Sequence, residues 1–375
     1  MAGDGTLIGL IGAADNFAEP TPFINRRETI LGLCITFMVL SWIFVGLRLS
    51  VRLFWVKAPG WDDLFVVLSL LTMSVGLGSI CVATKYGLGH HLLHLDFDLA
   101  SAFLHSFYVF NGSYAMSTAL IKISLLLQYM RVYERGTRLY NLCRRFIVII
   151  ALWGAAYSVI AWVPCVPVSD YWTVLYGQDI SGLRCYGYGS QSVREFKAVY
   201  ESHAAVNMVL DLVVMALAVP MYFEPGATGR TRLGLVGILT MGSIVNIFSI
   251  WRFAATVKTG AATYPTFDPT WYGPSPIVMA GLETASACIC ASIPVFWAPL
   301  LASASHLLGQ IFVTKEVHVT TQHFDSSEAV NVVEMRGAPR GYNEDNEKCV
   351  VRSASRLDWV STEDGLQQSC DPWSK

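Results

Sequence analysis

Seven long stretches of this chain carry almost no charge, and nothing else in the sequence constrains its fold as strongly. They are Ile30 to Leu47, Leu64 to Thr84, Leu99 to Ile121, Phe146 to Val168, His203 to Phe223, Leu233 to Trp251 and Ile277 to Leu301. Charged interruptions are few: His105 in the third, the acid Asp211 in the fifth and the acid Glu283 in the seventh. A helix needs about 20 apolar residues to cross roughly 30 Å of hydrocarbon, where each unpaired peptide group is costly. The expected fold class is therefore all-α: a polytopic membrane protein with a seven-transmembrane-helix bundle. Composition agrees, since 53% of the 375 residues are hydrophobic and only 14% charged, against about a quarter charged in soluble domains. The mean hydropathy is +0.45. A net charge of −2 gives no basic field for a polyanion, so no nucleic-acid partner is expected.

Lysine and arginine set the expected orientation. Arg48, Arg52 and Lys57 follow the first stretch, Arg131 to Arg145 hold five arginines after the third, and Arg230 and Arg232 follow the fifth. The opposite loops hold Lys85, then Arg184, Arg194 and Lys197, then Lys258, while Arg26 and Arg27 sit before the first stretch. This asymmetry places residues 1–26 outside or in a lumen, a membrane domain at 27–301, and a cytoplasmic tail at 302–375, in the plasma membrane or an endomembrane. No signal peptide is seen before the first stretch. The tail is rich in Ser, Thr, Asp and Glu without helical or strand period and is expected to be mostly disordered.

Several short motifs stand in a fixed order. Trp61-Asp62-Asp63 opens the second stretch, and Gly87-Leu88-Gly89 with His91 follows it. Lys122-Ile123-Ser124 and Tyr129-Met130-Arg131 end the third, then come Cys165, Pro167, Trp172 and Cys185, then Asn207, Asp211 and Pro220, then Arg252, and last Glu283 with Pro294. Over residues 27 to 301 this order resembles the fungal rhodopsin-domain family of integral membrane proteins. That family includes the membrane protein of the satratoxin gene cluster and the heptahelical part of Pth-type fungal receptors. The chain departs from the receptor branch in lacking a cysteine-rich module before the first stretch.

The name of the family suggests retinal, but a Schiff base needs a lysine in the last span and this one has none, so no cofactor is expected. Lys122 is expected to snorkel to the inner interface or to pair with Asp62 or Asp63. Cys165 and Cys185 both fall outside and can close a disulfide worth roughly 3 kcal/mol in the chain-entropy model. Cys34, Cys288 and Cys290 read as small apolar residues, and Cys143 as a weak palmitoylation site. His90 and His94 lack a third ligand of fixed spacing, so no metal site is assigned.

Polar residues inside the spans mark a site by default. His203, Asn207 and Asp211 at four-residue spacing share a helix face that must point inward. Tyr108, Asn111 and Thr118 lie on one stripe of the third span with His105 nearby, Asn246 and Ser249 share a face of the sixth, and Arg252 and Glu283 stand at similar depth and are expected to pair. The ligand-binding set is thus His105, Tyr108, Asn111, His203, Asn207, Asp211, Asn246, Arg252 and Glu283, around a cavity for a lipophilic small molecule. The resemblance implies an accessory role in fungal specialised-metabolite or mycotoxin biosynthesis. If that role is catalytic, Glu283, Asp211 and His203 are the acid–base candidates for cyclisation or isomerisation. The alternative is a G-protein-coupled-type receptor with a cytoplasmic signalling partner; membrane lipid is a partner in both.

Overall fold

In hydrocarbon, an uncharged stretch satisfies its own peptide groups only as a helix or a closed barrel. The computed structural model describes residues 6–173, 184–220, 229–308, 318–320 and 332–334 and takes the helical solution. Among the described residues seven long helices form: α1 (Arg27–Ser50), α2 (Trp61–Ala83), α3 (Phe97–Val132), α4 (Arg138–Trp162), α6 (Val193–Ala218), α7 (Gly229–Lys258) and α9 (Pro274–Leu308), with one-turn helices α5 (Asp170–Thr173) and α8 (Pro269–Tyr272) between them. Five spans, Arg27–Trp55, Trp61–Ala83, Arg138–Trp162, Val193–Ala218 and Pro274–Val295, are long and apolar enough to cross a membrane, which makes this an integral membrane protein. Helices α3 and α7 have 36 and 30 residues. The first of them dilutes its apolar content with buried Asn111, Ser113, Ser117, Thr118, Lys122 and Gln128.

The chain divides into two compact units, residues 1–304 and 305–375. In the second, β1 (His318–Thr320) pairs antiparallel with β2 (Val332–Glu334), Val319 opposite Val333. The membrane domain is all-helical as expected; of the tail expected to be mostly disordered, residues 302–308 continue α9 and these two short strands are described, and the remainder lies outside the described residues.

Within the first unit, α9 is the buried centre, while α1 and α4 turn large apolar side chains such as Trp42, Ile43, Leu152 and Val159 outward. With lipid on one side and protein on the other, helices gain little from hydrophobicity and associate through close packing and hydrogen bonds. The α2–α3 and α3–α4 seams use both. Ser69 Oγ donates to the Ser117 carbonyl at 3.0 Å. A Cβ on Gly154 would fall 2.3 Å from that of Ala119, so only glycine lets α4 approach α3 this closely.

Two helix ends differ from the sequence reading for the same reason. The third uncharged stretch stops at Ile121, but α3 continues through Tyr129-Met130-Arg131 to Val132, leaving Lys122 about 15 Å inside the helix end at 1.5 Å per residue. Helix α6 likewise begins at Val193, ten residues before the uncharged stretch, because its first turns carry an i,i+4 pair, Lys197 with Glu201 at 3.6 Å. In both places a charge was read as a boundary although the helix accommodates it.

The Cys165–Cys185 disulfide forms at the end of the bundle where α4 finishes and α6 begins. Over this end lies the N-terminal segment. Leu7 N–H donates to the Gln191 carbonyl at 2.9 Å, Phe267 N–H to the Leu10 carbonyl at 3.1 Å, and Asn16 Nδ2 to Asp268 Oδ2 at 3.0 Å. Buried Asp268 caps α8 by accepting from Trp271 N–H, and also holds His91 Nδ1 at 2.9 Å and Leu92 N–H at 3.0 Å. Gly89 sits at φ +99°, with Asn25 O only 2.2 Å from where a Cβ would be.

Candidate functional site

Four-residue spacing puts His203, Asn207 and Asp211 on the inner face of α6, and all three are buried. On α3, Tyr114, Thr118 and Lys122 repeat that spacing on a facing stripe, also buried. The two stripes meet. Lys122 Nζ stands 2.8 Å from Asp211 Oδ1 and donates to Asn207 Oδ1 at 2.8 Å. The Asn207 amide then reaches Glu283 Oε1 of α9 at 2.6 Å and Asp211 Oδ2 at 3.0 Å. Ser249 of α7 donates to Asp211 Oδ2 at 3.2 Å.

Glu283, 1% exposed, accepts from Arg252 Nε at 3.0 Å and from the Tyr114 hydroxyl at 3.3 Å. The Arg252 guanidinium lies 5.3 Å from the centre of the Tyr114 ring. Two cations and two anions thus cancel in the middle of the bundle, with Asn207 as the junction between the pairs. Neutrality matters here, because a buried charge stripped of its partner costs several kcal/mol.

A cavity of about 70 Å³ opens beside Arg252, its wall formed mainly by Phe107, Phe110, Tyr114, Tyr188, Phe196, Tyr200 and Ile277. Asn111, His203, Arg252 and Thr256 supply polar points beside the tyrosines. His203 is clamped by aromatic rings, stacked on Trp153 at 5.0 Å and edge-on to Tyr157 at 4.8 Å. Arg252 Nη2 and His203 Nε2 are both buried, and neither has a hydrogen-bond partner among the described residues. Next to the network a smaller cavity of about 30 Å³ is lined by Lys122, Asp211 and Asn246 among others. A third, of about 60 Å³, lies under the N-terminal segment at Leu7, Ile8 and Ile11. Outside the spans, burial pushes the Tyr171 and Tyr188 phenols up, so both stay neutral.

A second ion cluster occupies the opposite end. Arg48, fully buried in α1, pairs with Asp62 and, through Nε at 2.8 Å, with Asp63. It also donates to Gln128 Oε1 at 3.1 Å and to the Ala291 carbonyl at 2.6 Å. Arg131 reaches Asp62 at 2.7 Å. This ties α1, α2, α3 and α9 together and corrects the expectation for Lys122. Asp62 and Asp63 are served by arginines, and Lys122, 2% exposed, neither snorkels nor reaches them.

The expected site residues divide. Asn207, Asp211, Arg252 and Glu283 form the network, including the anticipated Arg252–Glu283 pair, and His203 and Asn111 line the cavity, Asn111 Nδ2 donating to the Tyr200 hydroxyl at 3.0 Å. Tyr108 instead spends its hydroxyl on the Trp162 carbonyl at the end of α4, at 2.8 Å. His105 is exposed and packs on Trp172 at 3.9 Å, away from the cluster. Asn246 donates to the Gly242 carbonyl at 2.8 Å and faces the smaller cavity. Cys143 is fully buried, which removes it as an acylation site. Tyr114, Tyr188, Tyr200 and the inward role of Lys122 were not anticipated. The shared spacing of Tyr114, Thr118 and Lys122 was the available signal.

The sequence profile of the fungal rhodopsin domain matches residues 47–302, from the end of α1 to α9, so it takes in both ion clusters and the cavity. The chain belongs to the fungal rhodopsin domain family. It is 24% identical over 297 residues to a polyenoic acids biosynthesis gene cluster protein of Metarhizium anisopliae, covering 76% of this chain and 77% of that one. It is 21% identical over 188 residues to a satratoxin biosynthesis cluster protein of Stachybotrys chartarum, covering 50% of this chain and 61% of that one. Within this fungal rhodopsin domain, the network residues Lys122, Asn207, Asp211, Arg252 and Glu283 all fall inside the matched region.

Proposed function

We propose that this fungal rhodopsin-domain protein serves specialised-metabolite biosynthesis as an accessory membrane component, holding a small lipophilic molecule in the cavity beside Arg252. The names of its relatives support the setting. The observation that carries the ligand reading is the pair of buried, unpartnered nitrogens, Arg252 Nη2 and His203 Nε2, on the wall of an otherwise aromatic hollow. A buried polar atom left without a partner costs about 1–3 kcal/mol, and a bound polar group removes that cost. In this reading α3 and α7 also cross the bilayer, giving seven spans, with the disulfide end outside or lumenal and the C-terminal tail cytoplasmic.

Among the three acid–base candidates, Asp211 and Glu283 are each committed to a cation, so His203 is the one with a ring nitrogen to offer a ligand. Deleting the gene and profiling metabolites tests the role, with re-introduction of wild type and of His203→Phe in parallel. The expected result is a lost or truncated product restored by wild type alone. An unchanged metabolite profile in the deletion strain refutes the accessory role.

A further inference from the structure

We infer that the cavity takes an apolar carboxylic acid, its carboxyl group seated between Arg252 Nη2 and His203 Nε2; this rests on the reading of the cavity as a ligand site. Both nitrogens belong to side chains more than nine-tenths buried, at 5% and 3% exposure, and both residues line the same hollow. The rest of the wall is mostly rings and aliphatic groups, including Phe107, Phe110, Phe196 and Ile277, which suits a hydrocarbon body, and its other polar residues, Asn111, Thr256 and the tyrosines, are charge-free and give a second charged group no counter-ion.

The charge count selects the head group. Arg252 already spends Nε on Glu283, and Lys122 is matched by Asp211, so the surrounding network is neutral. A phosphate or sulfate would bring one or two uncompensated negative charges to a single free guanidinium nitrogen. An amine would face a guanidinium. A carboxylic acid bound in its protonated form adds no charge and satisfies both nitrogens at once, its carbonyl oxygen accepting from Arg252 Nη2 and its hydroxyl donating to His203 Nε2. If the proton passes from that hydroxyl to Nε2, a carboxylate and an imidazolium form together and the net charge is unchanged. Two oxygens give each nitrogen its own partner, whereas a methyl ester cannot donate to His203 and an alcohol has one oxygen to share. The packing of the His203 ring against Trp153 and Tyr157 restrains Nε2 and so lowers the entropy lost on binding.

The test uses the full-length protein in detergent micelles and reads its thermal unfolding midpoint against propanoic, butanoic and hexanoic acids, each beside its methyl ester and its alcohol, the short chains matching a cavity of about 70 Å³. A saturable rise is expected for at least one acid, at about tenfold lower concentration than for the ester or alcohol of the same length, the cost of one charge-assisted hydrogen bond. His203→Phe, which keeps the ring stack, is expected to weaken the acid about tenfold and leave the ester where it was, and Arg252→Lys, which keeps the charge beside Glu283, to weaken acid and ester alike by about tenfold. Either variant that folds suffices. Equal binding of acid, ester and alcohol overturns the carboxyl assignment and leaves the cavity as a ligand site. Acid binding that neither folded variant weakens also overturns it. No saturable response at any length overturns both readings.

Discussion

Glu283→Gln removes one charge and almost no volume from the centre of the network. Glu283 accepts from Arg252 Nε at 3.0 Å, Asn207 Nδ2 at 2.6 Å and the Tyr114 hydroxyl at 3.3 Å. A glutamine must turn its NH₂ toward one of these donors. If its oxygen stays with Arg252, two amide NH₂ groups confront each other, and Asn207 relieves this only by turning its own NH₂ toward Lys122. The two contacts then lost, at roughly 0.6 kcal/mol each, the average for hydrogen bonds between membrane helices, set a lower bound of about 1 kcal/mol. Stranding the buried Arg252 charge raises this toward about 3–5 kcal/mol. Equilibrium unfolding of the variant in mixed micelles, with Arg252→Gln and the double variant completing a cycle, separates the two contributions. The double variant is expected to be more stable than the sum of the singles by at least about 1 kcal/mol, because it leaves no lone ion. A Glu283→Gln cost within about 0.5 kcal/mol of zero, or strict additivity, would refute the argument that these charges sustain one another.

Substituting Cys165 or Cys185 by serine opens a link spanning 20 residues and is expected to cost about 3 kcal/mol, read as a lowered unfolding midpoint matched by wild type under reductant. Gly89→Ala places a Cβ on the Asn25 carbonyl at φ +99° and should cost at least about 1–3 kcal/mol. Gly32→Ala, with no atom within 4 Å of the new methyl, should leave the midpoint unchanged or slightly raised. The Tyr272 phenol is pushed up to about 12 by partial burial, eased by the Asn16 amide and raised further by Glu19, whose carboxylate accepts its hydrogen bond. The folded state therefore keeps this proton longer than the unfolded chain, which loses it near pH 10. Its stabilising effect is complete below about pH 10 and declines as pH climbs toward 12, checked by phenolate absorbance in wild type minus Tyr272→Phe. Neutralising Arg135, Arg138, Arg144 and Arg145 while sparing Arg131 should leave metabolite output intact; loss of output with normal protein levels would favour receptor-type coupling.

The apolar stretches and the regular spacing of polar residues within them made most of this architecture readable. His203, Asn207 and Asp211 had to face inward because a lipid-facing acid is too costly, and α6 puts them there. The Arg252–Glu283 pair followed from depth and sign alone. What failed was the treatment of cations as end markers. Lys122 and Arg48 were assigned to interfaces since a lone charge beside an apolar run commonly stops it, yet both are interior, each sustained by acids from other helices. Sequence distance conceals such partners: Lys122 finds Asp211 across 89 residues, and Arg48 reaches the Ala291 carbonyl across 243. The same blindness placed His105 with the cavity, because helical spacing fixes a face but not which neighbour covers it.

The position of Asn207 bears on how such a domain changes by descent. Its amide touches partners on α3 and α9 and a further acid on its own helix, so no single codon change at Lys122, Asp211, Arg252 or Glu283 leaves the others content. A lineage that drops one of them passes through an ancestor with an orphan ion in oil. Comparing many relatives should therefore show these five sites inherited as a block, replaced together or kept together.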